Sequence, residues 1–205
     1  VFATPPAFSF VDHGPLVDGE LELVPPQPRW IDEFLAAVRH PLTAGQFPRE
    51  ARLSREEVER FVAEHPGGRN AGIPGALVPS YQFWMMIRHA PGRPTAAPPL
   101  RIAGGVSLRI GETPSIELYY GHIGYHVFPA AQGNRYALRA SSLVLPIARA
   151  HGFRSLWLTC SPENTASRRT IERLGGIYAG AVAVPPGEPL FERGETTKSR
   201  FRLDL

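Results

Sequence analysis

The chain has 205 residues, 43% hydrophobic and 20% charged, which is the length and composition of one α/β domain able to bury a core without staples. Its single cysteine, Cys160, excludes an internal disulfide and a multi-cysteine metal site, and apolar runs such as Leu143 to Ala148 are far too short to cross a bilayer. The net charge of +3 is carried almost wholly by arginine, Lys198 being the only lysine, and no run of five or more like charges marks a nucleic-acid arm.

These features lead to the expectation of a protein of the reducing cytoplasm, with no nucleic-acid or membrane partner, acting as a monomer or homodimer. Val1 to Pro6 show no basic segment leading into an apolar core, so no signal peptide is expected.

Residues 1 to 18 are Pro-rich and read as an N-terminal arm, with one domain spanning 19 to 205. Glu20 to Val24 alternates as a half-buried strand does. Pro28 then opens a helix whose apolar face carries Trp30, Ile31, Phe34, Leu35 and Val38. A second helix starts at Ser54, with Glu57 three residues on completing a capping box. The stretch from Pro66 to Pro79 is a Gly/Pro-rich connection.

Ser80 to His89, Arg101 to Arg109 and Ile116 to Phe128 read as strands, with a hairpin loop at Pro91 to Pro99 and a turn at Gly111 to Pro114. A long helix from about Gly133 to Ala150 leads to a strand at Ser155 to Thr159. A helix at Thr165 to Leu174 follows, stopped by Gly175 and Gly176. Ile177 to Val184 and Ser199 to Leu205 close the chain as strands.

The chemistry concentrates between Gly121 and Gly176. A strand runs into Pro129, and a short loop of Gln132, Gly133, Asn134, Arg135, Tyr136 and Ala137 opens the long helix. Amides at a helix start lack internal partners, and the helix dipole favours negative charge there, so such a loop can cradle a pyrophosphate. Gly133 would let the backbone approach a ligand closely. The same loop also reads as a plain turn.

With its flanks, this loop resembles the pyrophosphate loop of the GNAT acetyltransferases, (Q/R)-x-x-G-x-(G/A), with Gln132 at its first position and Ala137 at its last. Arg135 stands where glycine is usual, which calls for a backbone conformation that tolerates a Cβ. The run Gly121 to Pro129 looks like the family's splayed fourth strand. Asn164 to Gly176 is similar to its N-x-x-S-x-x-x-I-E-x-x-G helix, and the pattern lies nearest to the sub-groups resembling ribosomal-protein N-terminal acetyltransferases.

The resemblance implies an α/β (α+β) GNAT fold: a mixed, mostly antiparallel sheet of six to seven strands with helices on both faces. The fourth and fifth strands diverge as a V that receives acetyl-CoA as co-substrate, with no metal. Val127 and Pro129 would meet the pantetheine, and Gln132, Gly133, Asn134, Arg135, Tyr136 and Ala137 the pyrophosphate. Asn164 and Ser167 would border the cofactor, although Asn164 reads equally as a helix cap.

The implied reaction moves an acetyl group to a primary amine on a peptide N-terminus, a small metabolite or an antibiotic, in a ternary complex. The alternative is a non-catalytic acyl-CoA-binding or regulatory module of the same fold. Candidate bases are Glu117, His122 and His126. The two histidines share one strand face, and they read also as structural histidines or as two-thirds of a metal set lacking its third ligand. Gly121 or Gly124 would mark a bulge that splays the strand. Ile171 stands where many family members carry a tyrosine that protonates the leaving thiolate, which leaves the general acid open.

Overall fold

The computed structural model describes residues 8–71, 78–88 and 101–205. Residues 72–77 of the Gly/Pro-rich connection and the hairpin loop expected at 91–99 lie outside the described residues.

The chain enters the fold through a hairpin. β1 (Leu16–Asp18) pairs antiparallel with β2 (Leu21–Val24), Asp18 facing Leu21 across a turn in which Gly19 takes φ 56°. The boundary expected at residue 19 therefore falls inside a two-strand unit. Residues before it are anchored as well, because the Tyr81 hydroxyl accepts the Val11 amide at 2.8 Å. Asp18-Gly19 is the dipeptide that favours such tight hairpins, so the arm was legible as a strand.

Three helices follow: α1 (Ile31–Arg39), α2 (Pro41–Gln46) and α3 (Arg55–Glu64). Ile31, Leu35 and Val38 recur at helical spacing and are buried. The short α2 was not expected; it is set off from α1 by Pro41, which cannot continue a helix but can open one. In α3 the capping box forms as read, Ser54 accepting the Glu57 amide and Glu57 accepting the Ser54 amide.

β3 (Arg69–Asn70), β4 (Ser80–Ile87), β5 (Ile102–Arg109) and β6 (Ile123–Val127) complete a six-stranded sheet. Its order is β1-β2-β4-β5-β6, with β3 on the start of β4. α4 (Tyr136–Ala150) covers one face through Tyr136, Ala140, Val144 and Ile147, and α1 and α3 cover the other. Burying a side chain the size of Val144 or Ile147 contributes about 1.5–3 kcal/mol by leaving water.

β7 (Ser155–Cys160), α5 (Thr165–Leu174), β8 (Ile177–Ala183) and β9 (Thr197–Asp204) follow, the strands forming a second, three-stranded sheet in the order β7-β9-β8. Among the described residues every ladder is antiparallel. Among the described residues no helix is long and apolar enough to cross a membrane.

Two expectations about β6 are corrected. The strand does not begin at Ile116: residues Ile116–Tyr120 form one wide helical turn closed by the Gly121 amide on the Ile116 carbonyl at 2.7 Å. Nor does the bulge lie at Gly121 or Gly124, since the β5–β6 register is unbroken from Leu108↔Ile123 to Gly104↔Val127. The irregularity lies one strand inward, between β4 and β5, where Met85 faces Gly104 and Met86 faces Ile102, leaving Ala103 as the extra residue. Gly104 takes φ 153°, and a Cβ there would overlap the His126 carbonyl.

The two sheets touch at one end of β6 and β7. The His122 amide donates to the Trp157 carbonyl at 2.7 Å, and the Trp157 amide donates to His122 Nδ1 at 2.9 Å. Beyond that link the strands belong to separate sheets and bound an open gap.

Candidate functional site

The β6 edge of that gap carries unpaired backbone. The His122 carbonyl and the Phe128 amide both bond to β5, so strand alternation turns the main-chain groups of Ile123, Tyr125 and Val127 toward the gap. The Val127 carbonyl is met there by Gln132 Nε2 at 3.0 Å, which folds the following loop back on the strand.

That loop is an anion seat by construction. After a tight turn at Pro129–Ala131, none of the amides from Gly133 to Leu138 donates to a protein acceptor among the described residues; the first bond of α4 is Arg139 to the Arg135 carbonyl. Gly133 takes φ 88°, and a Cβ added to it would meet no protein atom within 4 Å, so the space before it is open. Arg135 stands at φ 59°, the one non-glycine residue with positive φ among the described residues. The arginine thus adopts, Cβ and all, the left-handed conformation that glycine supplies without strain. For an L-residue this costs about 1–2 kcal/mol.

A groove of about 610 Å³ runs from this loop along the gap, lined by Gln132, Gly133, Arg135, Tyr136, Ala137 and Val127 on one side and by Asn164, Ala166, Ser167 and Thr170 of the α5 start on the other. Pro129 and Asn134 stand behind it, Asn134 Nδ2 donating to the Ala131 carbonyl at 3.0 Å. Asn164 caps α5, its Oδ1 accepting the Ser167 amide at 2.9 Å, while its side chain also borders the groove. The free amides, the open glycine and a lining that runs from the loop to the start of α5 fit a diphosphate on an extended chain.

At the groove's inner end, the Tyr125 hydroxyl lies 2.9 Å from Ser167 Oγ and 3.2 Å from the Ser167 carbonyl. Burial pushes the Tyr125 pKa up to about 12, against the opposing effect of its bond to Ser167, so the phenol stays protonated. Ile171, one turn further along α5, is 1% exposed and packed in the core, so a side chain at that position serves packing.

A second cavity, of about 410 Å³, meets the groove at Tyr125 and His126. Its walls are Phe34, Leu53, Val58 and Phe61 from the α1–α3 layer, and its floor includes Gly105, Ser107, Gly124 and Arg109. The two glycines leave room for polar side chains to lie flat on the sheet. A Cβ at Gly105 would come within 2.9 Å of the His126 ring, and one at Gly124 within 2.9 Å of Ser107 Oγ.

The candidate bases separate here. His126 lines both cavities, beside Phe47 and Phe128. His126 is exposed at the mouth of the cavities; nearby protein atoms shift its pKa down, and the Glu50 carboxylate opposes the shift. His122 is 1% exposed in the link to Trp157 and lines neither cavity. Glu117 lies in the wide turn before β6, its carbonyl accepting Arg200 Nε at 2.9 Å, and also lines neither. The structure thus brings His126, Val127, Gln132, Gly133, Arg135, Tyr136, Ala137, Asn164 and Ser167 to one groove and leaves Glu117 and His122 away from it. Among the described residues no group of three His, Cys, Asp or Glu side chains is arranged to hold a metal.

Tyr125, Ser107 and Arg109 were not singled out by sequence reasoning. Strand alternation gives their faces, but nothing in a lone tyrosine or arginine shows that it borders a cavity. The signal available was the pair Gly105 and Gly124, two glycines inside strands, which mark places where something lies close to the backbone.

The profile of the Acetyltransferase (GNAT) domain matches residues 20–177. No curated protein matches the sequence. Among solved structures, the microcin C7 self-immunity acetyltransferase MccE, in complex with acetyl-CoA and AMP, is similar over 92% of this chain and 94% of its own, with a TM-score of 0.63 and 14% identity. RimL, a ribosomal L7/L12 α-N-protein acetyltransferase in complex with coenzyme A, is similar over 94% and 98%, with a TM-score of 0.61 and 17% identity. A GCN5-related N-acetyltransferase from Brucella melitensis is similar over 96% and 80%, with a TM-score of 0.62 and 17% identity.

Proposed function

Because the chain belongs to the GNAT acetyltransferase family, we propose that it moves an acetyl group from acetyl-CoA to a primary amine by direct attack in a ternary complex. The observation that carries this reading is the run of unpaired amides from Gly133 to Leu138, opening on a groove that meets a second cavity at Tyr125 and His126. A co-substrate and an acceptor can then approach one point from two sides. Solved proteins of the same fold with acetyl-CoA or CoA bound support the choice of co-substrate.

On this reading the pyrophosphate of acetyl-CoA meets the loop amides and the positive end of α4, with the Arg135 guanidinium beside it. The pantetheine lies in the gap, within reach of the main-chain groups of Tyr125 and Val127 and of the Asn164 side chain. The thioester then lies near Tyr125 and Ser167, and the amine enters over Gly105 and Gly124.

The amine lone pair attacks the thioester carbonyl. The C–N bond forms, the C–S bond breaks, and the sulfur leaves as thiolate. An alkylammonium has a pKa of about 10.4, so it must shed a proton first. His126, exposed where the groove and the second cavity meet, is the group at the junction able to accept that proton and pass it to solvent. As the C–S bond breaks, Ser167 Oγ gives a proton to the thiolate and takes one from the Tyr125 phenol, while the surplus proton on the nitrogen, lost as the amide forms, returns through water to the phenol, which is left protonated as it began. This arrangement takes the place of the tyrosine that Ile171 displaces.

Incubation with acetyl-CoA and a panel of primary amines, followed by measurement of free thiol, tests the reading. Amine-dependent thiol release is expected. CoA binding without release across a broad panel would instead make the chain an acyl-CoA-binding module.

A further inference from the structure

The second cavity has one cation on its floor, Arg109, and one carboxylate in its wall, Glu57, and the two form no ion pair. Arg109 ends β5, half-buried, on the same face as Gly105 and Ser107. One of its terminal nitrogens donates to the carbonyls of Tyr120 at 3.3 Å and Gly121 at 3.0 Å. Those bonds stretch the side chain across β6, where a Cβ on Gly124 would lie 3.4 Å from both terminal nitrogens. A guanidinium has five N–H donors in a planar fork, and the remaining ones meet no protein acceptor among the described residues.

No carboxylate forms an ion pair with Arg109 among the described residues. The acids around it are committed elsewhere: Glu57 to the Ser54 amide, Glu188 to the Tyr120 hydroxyl, and Glu195 to Lys198 and Ser161. A cation so placed is costly unless an anion comes to it from outside. Burial lowers its pKa, yet an arginine remains charged at any physiological pH.

We propose that Arg109 receives the carboxylate of the acceptor, and that the acceptor is an ω-amino carboxylate, with amine and carboxylate at opposite ends of an extended chain. This deepens the acetyl-transfer reading and rests on it. Spacing sets the class. Gly124, under the guanidinium, and His126, at the junction with the groove, are two strand residues apart, a span of about 7 Å. An α-amino acid, whose two groups share one carbon, does not cover that span; a chain of several methylenes does. The walls between the two points, Phe34, Val58 and Phe61, are apolar and suit such a chain.

The test compares ε-aminocaproate, n-hexylamine and glycine as acceptors by thiol release. It also measures, by calorimetry in the presence of CoA, binding of the N-acetyl derivatives of the first two. In the wild type, ε-aminocaproate is expected to exceed both other amines at least tenfold in kcat/KM, and its N-acetyl derivative to bind at least tenfold tighter than N-acetylhexylamine. Arg109→Gln should abolish the preference and Arg109→Lys should keep part of it. Should Arg109→Gln fail to fold for want of its bonds to Tyr120 and Gly121, Ser107→Asp provides an internal carboxylate that occupies the guanidinium, and it should abolish the preference as well.

Equal binding of the two derivatives by the wild type, or a preference that survives in Arg109→Gln or Ser107→Asp, overturns the proposal. Failure of the wild type to bind CoA at all would remove the acetyl-transfer reading and this one with it. Intact CoA binding without carboxylate preference removes only the role of Arg109.

Discussion

His122 and Trp157 clasp each other through both of their amides: one donates to a carbonyl at 2.7 Å, the other to an imidazole nitrogen at 2.9 Å. The side chain of His122 thereby replaces the main-chain acceptor that a continued strand would have offered. Because Nδ1 accepts, the ring is the neutral Nε2–H tautomer, buried edge-on to Phe153. Burial lowers its pKa below that of a free imidazole, about 6.5.

The sign of the resulting pH dependence follows. Below pH 6.5 the unfolded chain takes up a proton on His122 that the folded one refuses. Stability is therefore fully present above that pH and falls as pH drops from 6.5 toward the lowered folded-state value. Urea midpoints at pH 7.5 and 5.5 should differ in the wild type, and the difference should shrink in His122→Gln. An unchanged difference would mean that other groups carry it.

Arg135→Gly tests the left-handed residue before α4. Glycine adopts φ 59° without strain but loses more freedom on folding, so stability should stay level or rise by up to about 1 kcal/mol. CoA affinity should fall severalfold, because the guanidinium beside the loop amides is lost. Chemical denaturation and calorimetry read the two effects separately. Unchanged affinity would leave the phosphate contacts to the backbone alone.

For Asn164→Ala the lost α5 cap should cost about 1 kcal/mol. A fall in CoA affinity is expected in addition, since the amide group also borders the groove. Were stability to fall while affinity held, Asn164 would be a cap and nothing more.

Tyr125→Phe keeps the ring and removes the hydroxyl bonded to Ser167. We expect kcat for thiol release to drop at least tenfold with little change in KM for acetyl-CoA, and Ser167→Ala to act in the same direction. A wild-type kcat in Tyr125→Phe would leave water as the proton donor.

Much of this was visible in the amino-acid order because it rests on local rules. Ser54 with Glu57, the apolar stripe of α4 and the Gly175 stop each depend on neighbours a few residues away. Sequence also pointed to the loop from Gln132 to Ala137, since a glycine between a strand and a helix is a local pattern. What stayed hidden depends on packing across the sheet. That Ala103 is extra in β5 is set by pairing with β4, that Glu117 misses the groove follows from the wide turn at Ile116–Tyr120, and that His122 misses it follows from its bonds to Trp157 at the closed end of the gap. Arg135 shows the reverse case, in which the fold holds a residue where its own preference would not put it.

The clasp at one end and the gap at the other make β6 and β7 a pair of tongs. Amide hydrogen exchange should therefore read occupancy residue by residue: Ile123, Tyr125 and Val127 exchange quickly in the free protein and slow when a ligand bridges the arms, whereas the His122 and Trp157 amides are protected in both states.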